Sequence, residues 1–262
     1  EEGCSRIPVG ESTASTLVAY YRVDENYVDL LDRETGREFI ARTHEVYKER
    51  FGRYFGNVVK GVFTDEPQMR CDHITWSDSV PDCYRETYGG DVLDELWKLS
   101  TEYFDEAFSD RYLRLLNTLF QQNFSGQIGD WCEKNHLVFT GHYGAEDGLQ
   151  SQILSNGGVM PHYLYEQIPG IDHLGCRLAS PVLMKQVSSA AEMQGKPNKI
   201  SEVFGCAGWD VSFNELAWIW GWHAAFGINL PCLHLSSYSL KGRRKRDYPA
   251  FYSYQEPWWE NF

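Results

Sequence analysis

The sequence predicts a parallel α/β architecture, either an open sheet or the C-terminal portion of a (β/α)₈ TIM-type barrel without its first strands. Three observations predict it. From Val58 onward, strand-like and helical patterns alternate five times, the sequence form of a parallel sheet with crossover helices. Two of the apolar runs stop on an acid: Val58-Val59-Lys60-Gly61-Val62-Phe63-Thr64-Asp65-Glu66-Pro67 and Lys199-Ile200-Ser201-Glu202-Val203-Phe204-Gly205. A β-branched run that ends on a carboxylate and then meets Pro or Gly delivers that acid to a loop. Finally, 42% apolar residues in 262 are enough for a core, so residues 1–262 read as one domain.

The elements follow in order. Residues 16–23, rich in β-branched and aromatic side chains, read as a strand. Asp32 is a good N-cap for one helix running to about Phe51, with Gly52 as its left-handed exit. After the strand ending in Asp65-Glu66-Pro67, residues 68–100 read as a long loop with a short helix at 91–99. A long helical pattern at 102–135 breaks near Ser125-Gly126. Strand 137–142 leads through a Gly-bearing loop and a short helix at 160–167 to strand 170–173. A helix at 181–194 precedes the strand carrying Glu202. Ser212-Phe213-Asn214-Glu215 is a capping box for a helix closed by Gly227, and residues 228–235 are the last strand. Counted back from that strand as the eighth, Glu66 ends the fourth and Glu202 the seventh, so the chain carries roughly strands 3 or 4 to 8. In a closed barrel those two strand ends face each other across the mouth, where active sites form. Two opposed carboxylates are the minimum equipment for breaking a glycosidic bond.

Composition excludes other classes. A net charge of −13 argues against nucleic acid or an anionic membrane as partner, and no apolar stretch reaches the ~20 residues of a membrane span. Seven scattered cysteines without a C-x-x-C pair suggest neither a disulfide framework nor a zinc ribbon and lean towards a reducing, cytoplasmic compartment. The start, Glu1-Glu2-Gly3-Cys4, shows no signal-peptide pattern and reads as an internal cut in a longer parent whose other domains this chain contacts. Aromatics at 15%, with 9 Trp and 16 Tyr, suit both sugar stacking and ordinary core filling. Serine-elbow, H-E-x-x-H and phosphate-loop motifs do not occur.

Several motifs in fixed order resemble one family. They are Tyr27-Val28-Asp29-Leu30-Leu31-Asp32, Thr43-His44-Glu45, Phe63-Thr64-Asp65-Glu66-Pro67, Thr140-Gly141-His142, Ile168-Pro169-Gly170-Ile171-Asp172, Ser201-Glu202-Val203-Phe204-Gly205-Cys206, Trp209-Asp210-Val211-Ser212-Phe213 and His234-Leu235-Ser236-Ser237-Tyr238. Together they resemble the catalytic barrel of glycoside hydrolase family 106, the bacterial α-L-rhamnosidase-like group. The resemblance implies a glutamate pair, inversion at the anomeric carbon, a calcium ion that helps hold the sugar, and a much longer parent.

On this reading Glu66 is the general acid and Glu202 the general base, with a carbohydrate as partner. The plainer alternatives are an Asp-Glu-Pro turn whose acids cap the next segment, and a salt bridge from Glu202 to an arginine such as Arg246. Asp65 reads as a supporting or capping residue. His142 and Glu146 sit on one loop as sugar contacts, with Glu146 and nearby Asp147 as possible oxygen ligands for calcium. Asp172 and His173 end a strand and point to sugar, as do His234 and Tyr238 on a hydroxyl-rich rim. Trp209 is a candidate stacking platform. The competing function is a carbohydrate-binding or inactive barrel remnant.

Overall fold

A computed structural model describes residues 4–6, 20–69, 74–178, 180–236, 239, 241–243 and 248–262. Tyr238, Arg246 and residues 16–19 of the expected 16–23 strand lie outside them. Strand β1 (Cys4–Arg6) pairs antiparallel with β2 (Tyr20–Arg22). The expected helix at 32–51 is two, α1 (Arg33–Arg42) and α2 (His44–Phe51). Asp32 caps the first as expected, accepting from the Thr35 amide at 2.7 Å. The split falls at Thr43, whose hydroxyl turns back to the Phe39 carbonyl at 2.6 Å, an interaction that bends helices. Gly52 keeps a right-handed φ of −54° and the chain winds into a tight turn. The reversal falls instead on Gly56 at φ +71°.

Five parallel strands follow: β3 (Gly61–Thr64), β4 (Val138–Gly141), β5 (Gly170–His173), β6 (Ile200–Val203) and β7 (Leu230–Leu233). β3 pairs with β4, and β5, β6 and β7 pair in chain order. Between β4 and β5 the regular ladder lapses and other groups span the seam. Phe139 donates its amide to Gln167 Oε1 at 2.7 Å, and Thr140 Oγ1 donates to the Ile168 carbonyl at 2.6 Å. The strands lie so close there that a Cβ on Gly170 would sit 2.1 Å from the Gly141 carbonyl oxygen. Within each of the two sheets, neighbouring strands are consecutive in the chain and parallel. No closed barrel is found among the described residues, and the fold class stands as mixed α/β with short parallel sheets.

Helices α3 (Val80–Tyr88), α4 (Glu106–Phe120), α5 (Gln127–Lys134), α6 (Leu149–Asn156), α7 (Pro181–Met193) and α8 (Phe213–Ala225) complete the chain. Residues 91–99 form two short 3₁₀ turns rather than a helix. The expected break at Ser125-Gly126 is instead a π-helical turn over Gln121–Gly126 that joins α4 to α5. Gly126 and Gly129 serve close approach to Tyr165: a Cβ on Gly129 would lie 2.5 Å from its carbonyl oxygen. The capping box at Ser212 and Glu215 opens α8 as expected. Leu116, Phe120 and Ile128 from α4 and α5, with Val187 from α7, meet Phe139 and Ile171 from the strands in one core. Burying large apolar side chains of this kind stabilises by about 1.5–3 kcal/mol each.

The Gly170 contact predicts a measurable cost. Gly170→Ala must push backbone against backbone at the β4–β5 seam, lowering unfolding free energy by about 2 kcal/mol in urea titrations. A variant as stable as the parent would show that the seam is loose.

Candidate active site

Side chains alternate faces along a strand, and the pairing register aligns them. Ile171 and His173 face the helices: Ile171 is in the core, and the His173 ring packs on Trp222 and His223 at 5.4 and 5.1 Å. Asp172 therefore faces the other way, and its partner in the register is Glu202. Glu202 in turn is paired with Cys232 on β7. The β3–β4 register, which ends at Thr64 opposite Gly141, carries on to Asp65 and His142, whose Oδ1 and Nε2 lie 3.1 Å apart. One face of the strand ends thus presents Asp65, His142, Asp172, Glu202 and, after β7, His234.

His142 is the hub. Its ring is 1% exposed, with Nδ1 3.6 Å from Glu202 Oε2 and Nε2 4.0 Å from Asp172 Oδ2. Phe63 meets the ring edge-on at 5.5 Å. His234 Nε2 stands 3.7 Å from Glu202 Oε1, and Gly205 lies against its ring, where a Cβ would fall 2.6 Å from Cγ. Glu66 would face the helices by strict alternation. Its backbone takes φ +46°, a conformation that costs a non-glycine residue about 1–3 kcal/mol. Its carboxylate comes within 4.8 Å of atoms of His142 and Asp172.

Burial, reinforced by like charges, sets the electrostatics. Burial, reinforced by Glu66, Asp147, Glu202 and Asp65, pushes Asp172 up to about 7. Burial, then Asp65 and Glu66, does the same for Glu202, also to about 7. Glu66 is raised by burial and by Asp65 and Asp147. Burial lowers His142 despite the opposing pull of Asp65. At neutral pH the hub is a neutral imidazole among carboxyl groups that hold protons more tightly than usual.

An open cleft of about 690 Å³ borders the Glu66 and Asp172 end of this cluster, walled also by Glu146, Asp147, His173, Leu174, Arg177 and Ser180, a volume usual for a small-molecule site.

The structure brings Asp65, Glu66, His142, Asp172, Glu202 and His234 together. Of three other expected contacts, Glu146 and His173 line the cleft beside this cluster and Trp209 stands apart from it. Glu146 is 2% exposed, and its oxygens accept the amides of Asp172 at 2.9 Å and Tyr143 at 3.4 Å. It braces the cleft floor, with burial holding it well above the carboxylate range. His173 borders the cleft, but its ring is committed to α8. Trp209 is exposed and packs on Phe251 at 5.2 Å; no described contact takes it to the acid cluster. Arg177 and Phe63 join the site without having been singled out from the sequence. Phe63, two residues before Asp65, could have been found from the alternation, but Arg177 sits in an irregular loop with no such signal.

No family model matches this chain, and no curated protein does. Among solved structures it is similar to a rhamnosidase from Novosphingobium sp. PP1Y, with a TM-score of 0.72 and 20% sequence identity over 90% of this chain. The chain spans 24% of that rhamnosidase's length. At this identity the likeness shows a shared fold. Among the described residues no helix is long and apolar enough to cross a membrane.

Asp172 carries a testable pH dependence. A carboxyl raised to about 7 in the fold from about 3.9 when unfolded favours the native state below its unfolded pKa. That contribution is lost as pH rises through the folded value. Asp172→Asn, melted in chelator-containing buffers, is therefore expected to gain on the parent progressively between pH 4 and pH 7 and to level off above. A difference in Tm that is flat across this range would contradict the crowding.

Proposed function

We propose that the cleft hydrolyses the glycosidic bond of a terminal deoxy-sugar in a glycan or glycoside, as an α-L-rhamnosidase-like enzyme. The observation that carries this reading is the pair of carboxyls, Glu66 and Glu202, set against one buried imidazole and both held above the usual carboxylate range. Burial and the neighbouring Asp65 and Asp147 make Glu66 hold its proton more tightly than an ordinary carboxyl, which suits the role assigned to it, giving that proton to a leaving oxygen. Glu202, between His142 and His234, takes the proton of the attacking water as general base. Inversion is the outcome that the family resemblance implies, with water entering between the two carboxyls. Asp65 and His142 position Glu202, and the exposed Phe63 ring offers an apolar face for the sugar. The similarity in fold to a rhamnosidase supports the sugar class.

The resemblance also implies calcium, and the chemistry of the cleft fits a hard, oxygen-seeking cation. Asp147 and Asp172, carboxylates on one wall that repel each other, would hold it. When bound, such an ion supplies a ligand for sugar hydroxyls. His142, a nitrogen donor, is left to position the acids.

Glu66→Gln and Glu202→Gln are each expected to slow hydrolysis of an aryl α-L-rhamnoside by about 10³-fold while rhamnose binding, read by calorimetry, persists. Unchanged turnover in either variant would remove that residue from the chemistry. A parent chain that binds rhamnose and turns over nothing would identify a sugar-binding barrel remnant instead.

A further inference from the structure

The cleft beside the acid cluster holds one charge that the proposed chemistry leaves unused. The described residues that wall it include four acids, Glu66, Glu146, Asp147 and Asp172, and one fixed cation, Arg177. Among the described residues the ion pairs of the acid cluster run to His142 and His234, and no carboxylate closes on Arg177. A guanidinium presents its donors in a planar fork, the shape that meets a carboxylate with two parallel hydrogen bonds.

The backbone leading to Arg177 is tied down. Gly175, at φ +86°, donates its amide to the Gly205 carbonyl at 2.6 Å, and Cys176 Sγ donates to the Ala207 carbonyl at 3.1 Å. Cys176 also packs against the small core around Phe204 and Tyr252. The loop between β5 and α7 is thus anchored up to the residue before Arg177, and the arginine itself is exposed on the cleft wall. A side chain on a fixed base loses less freedom on binding than one on a loose loop.

The position of the cleft says which sugar Arg177 would meet. The cleft borders the Glu66 end of the cluster, and Glu66 is the group that gives its proton to the leaving oxygen, so the leaving sugar lies on that side. A cleft of about 690 Å³ takes a ligand larger than the single terminal ring. We propose that Arg177 reads a carboxylate on the leaving sugar, so that the preferred substrate is a terminal deoxy-sugar linked to a uronic acid. The inference rests on the glycosidase reading and adds to it the acidic class of the leaving sugar.

The charge balance permits this. The chain carries −13 overall, but at physiological ionic strength that repulsion is screened over about 8 Å, whereas the guanidinium acts at hydrogen-bond distance. Of the wall acids, Glu146 is committed to the amides of Asp172 and Tyr143, and Glu66 and Asp172 converge on His142.

The test uses the whole chain and three disaccharides: an α-L-rhamnosyl glucuronate, its methyl ester, and the corresponding rhamnosyl glucoside bearing a sulfate in place of the carboxylate. The parent is expected to favour the glucuronate over its ester by about 10- to 100-fold in kcat/KM, and Arg177→Gln to bring that ratio close to one. Arg177→Lys, which keeps the charge without the fork, should fall between. Equal kcat/KM for glucuronate and ester in the parent, a preference that survives Arg177→Gln, or a sulfate favoured over the carboxylate would overturn the proposal. A chain that turns over none of the three removes the glycosidase reading, and calorimetry with the intact disaccharides then decides the role of Arg177 by itself. Tighter binding of the glucuronate than of the ester, lost in Arg177→Gln, would support it; equal binding, or none, would overturn it.

Discussion

The parallel register of the strands, combined with the two-residue period of their side chains, is the constraint on which the rest depends. Pairing Asp172 with Glu202, and carrying Thr64–Gly141 on to Asp65 and His142, leaves no freedom about which groups meet. A slip of one residue would turn the acids into the helical layer and His173 into the cleft. The same register gathers like charges. Their mutual repulsion in a partly buried site disfavours the ionised fold, so the cluster is held in place by the packing behind it rather than by its own interactions.

That packing is dense where the site needs it. Gly141, Gly170 and Gly205 let strands and the His234 ring approach to distances that a side chain would forbid. Glu66, Ala145, Phe204 and Cys206, all just beyond strand ends, hold positive φ values of 46–73°. Non-glycine backbone of this kind persists only where surrounding structure determines it, and it concentrates at functional sites. At Glu66 the consequence is specific: the carboxylate turns from the helix side to the side of His142. Glu146 does a related task from below, its buried oxygens holding the amides of Asp172 and Tyr143. Loss of that brace would free the strand end on which the acid row relies.

Much of this was legible in the residues. Short β-branched runs marked the five strands, and an acid at the end of a run marked Glu66 and Glu202. Asp32 and the Ser212–Glu215 box marked helix starts because capping is local chemistry. What failed was decided by partners distant in sequence. Gly126 suggests a break, but its meaning comes from Tyr165; Thr43 divides a helix through a hydroxyl that composition does not direct. His173 and Asp172 looked equivalent until the core contact of Ile171 fixed the face. Glu146 looked like a loop acid because burial depends on where the loop folds. Strand counting suggested part of a barrel, but a count of strands does not specify closure, and the described residues form two short parallel sheets with no closed barrel among them.

The central claim is that Glu66 and Glu202 work as acid and base on opposite faces of one sugar. The most direct measurement is proton NMR of the anomeric signal during the first turnovers of an aryl α-L-rhamnoside. The account predicts that β-rhamnose appears first and then mutarotates. Initial release of α-rhamnose would contradict it, because retention requires a carboxylate nucleophile close to the acid rather than a base acting through water.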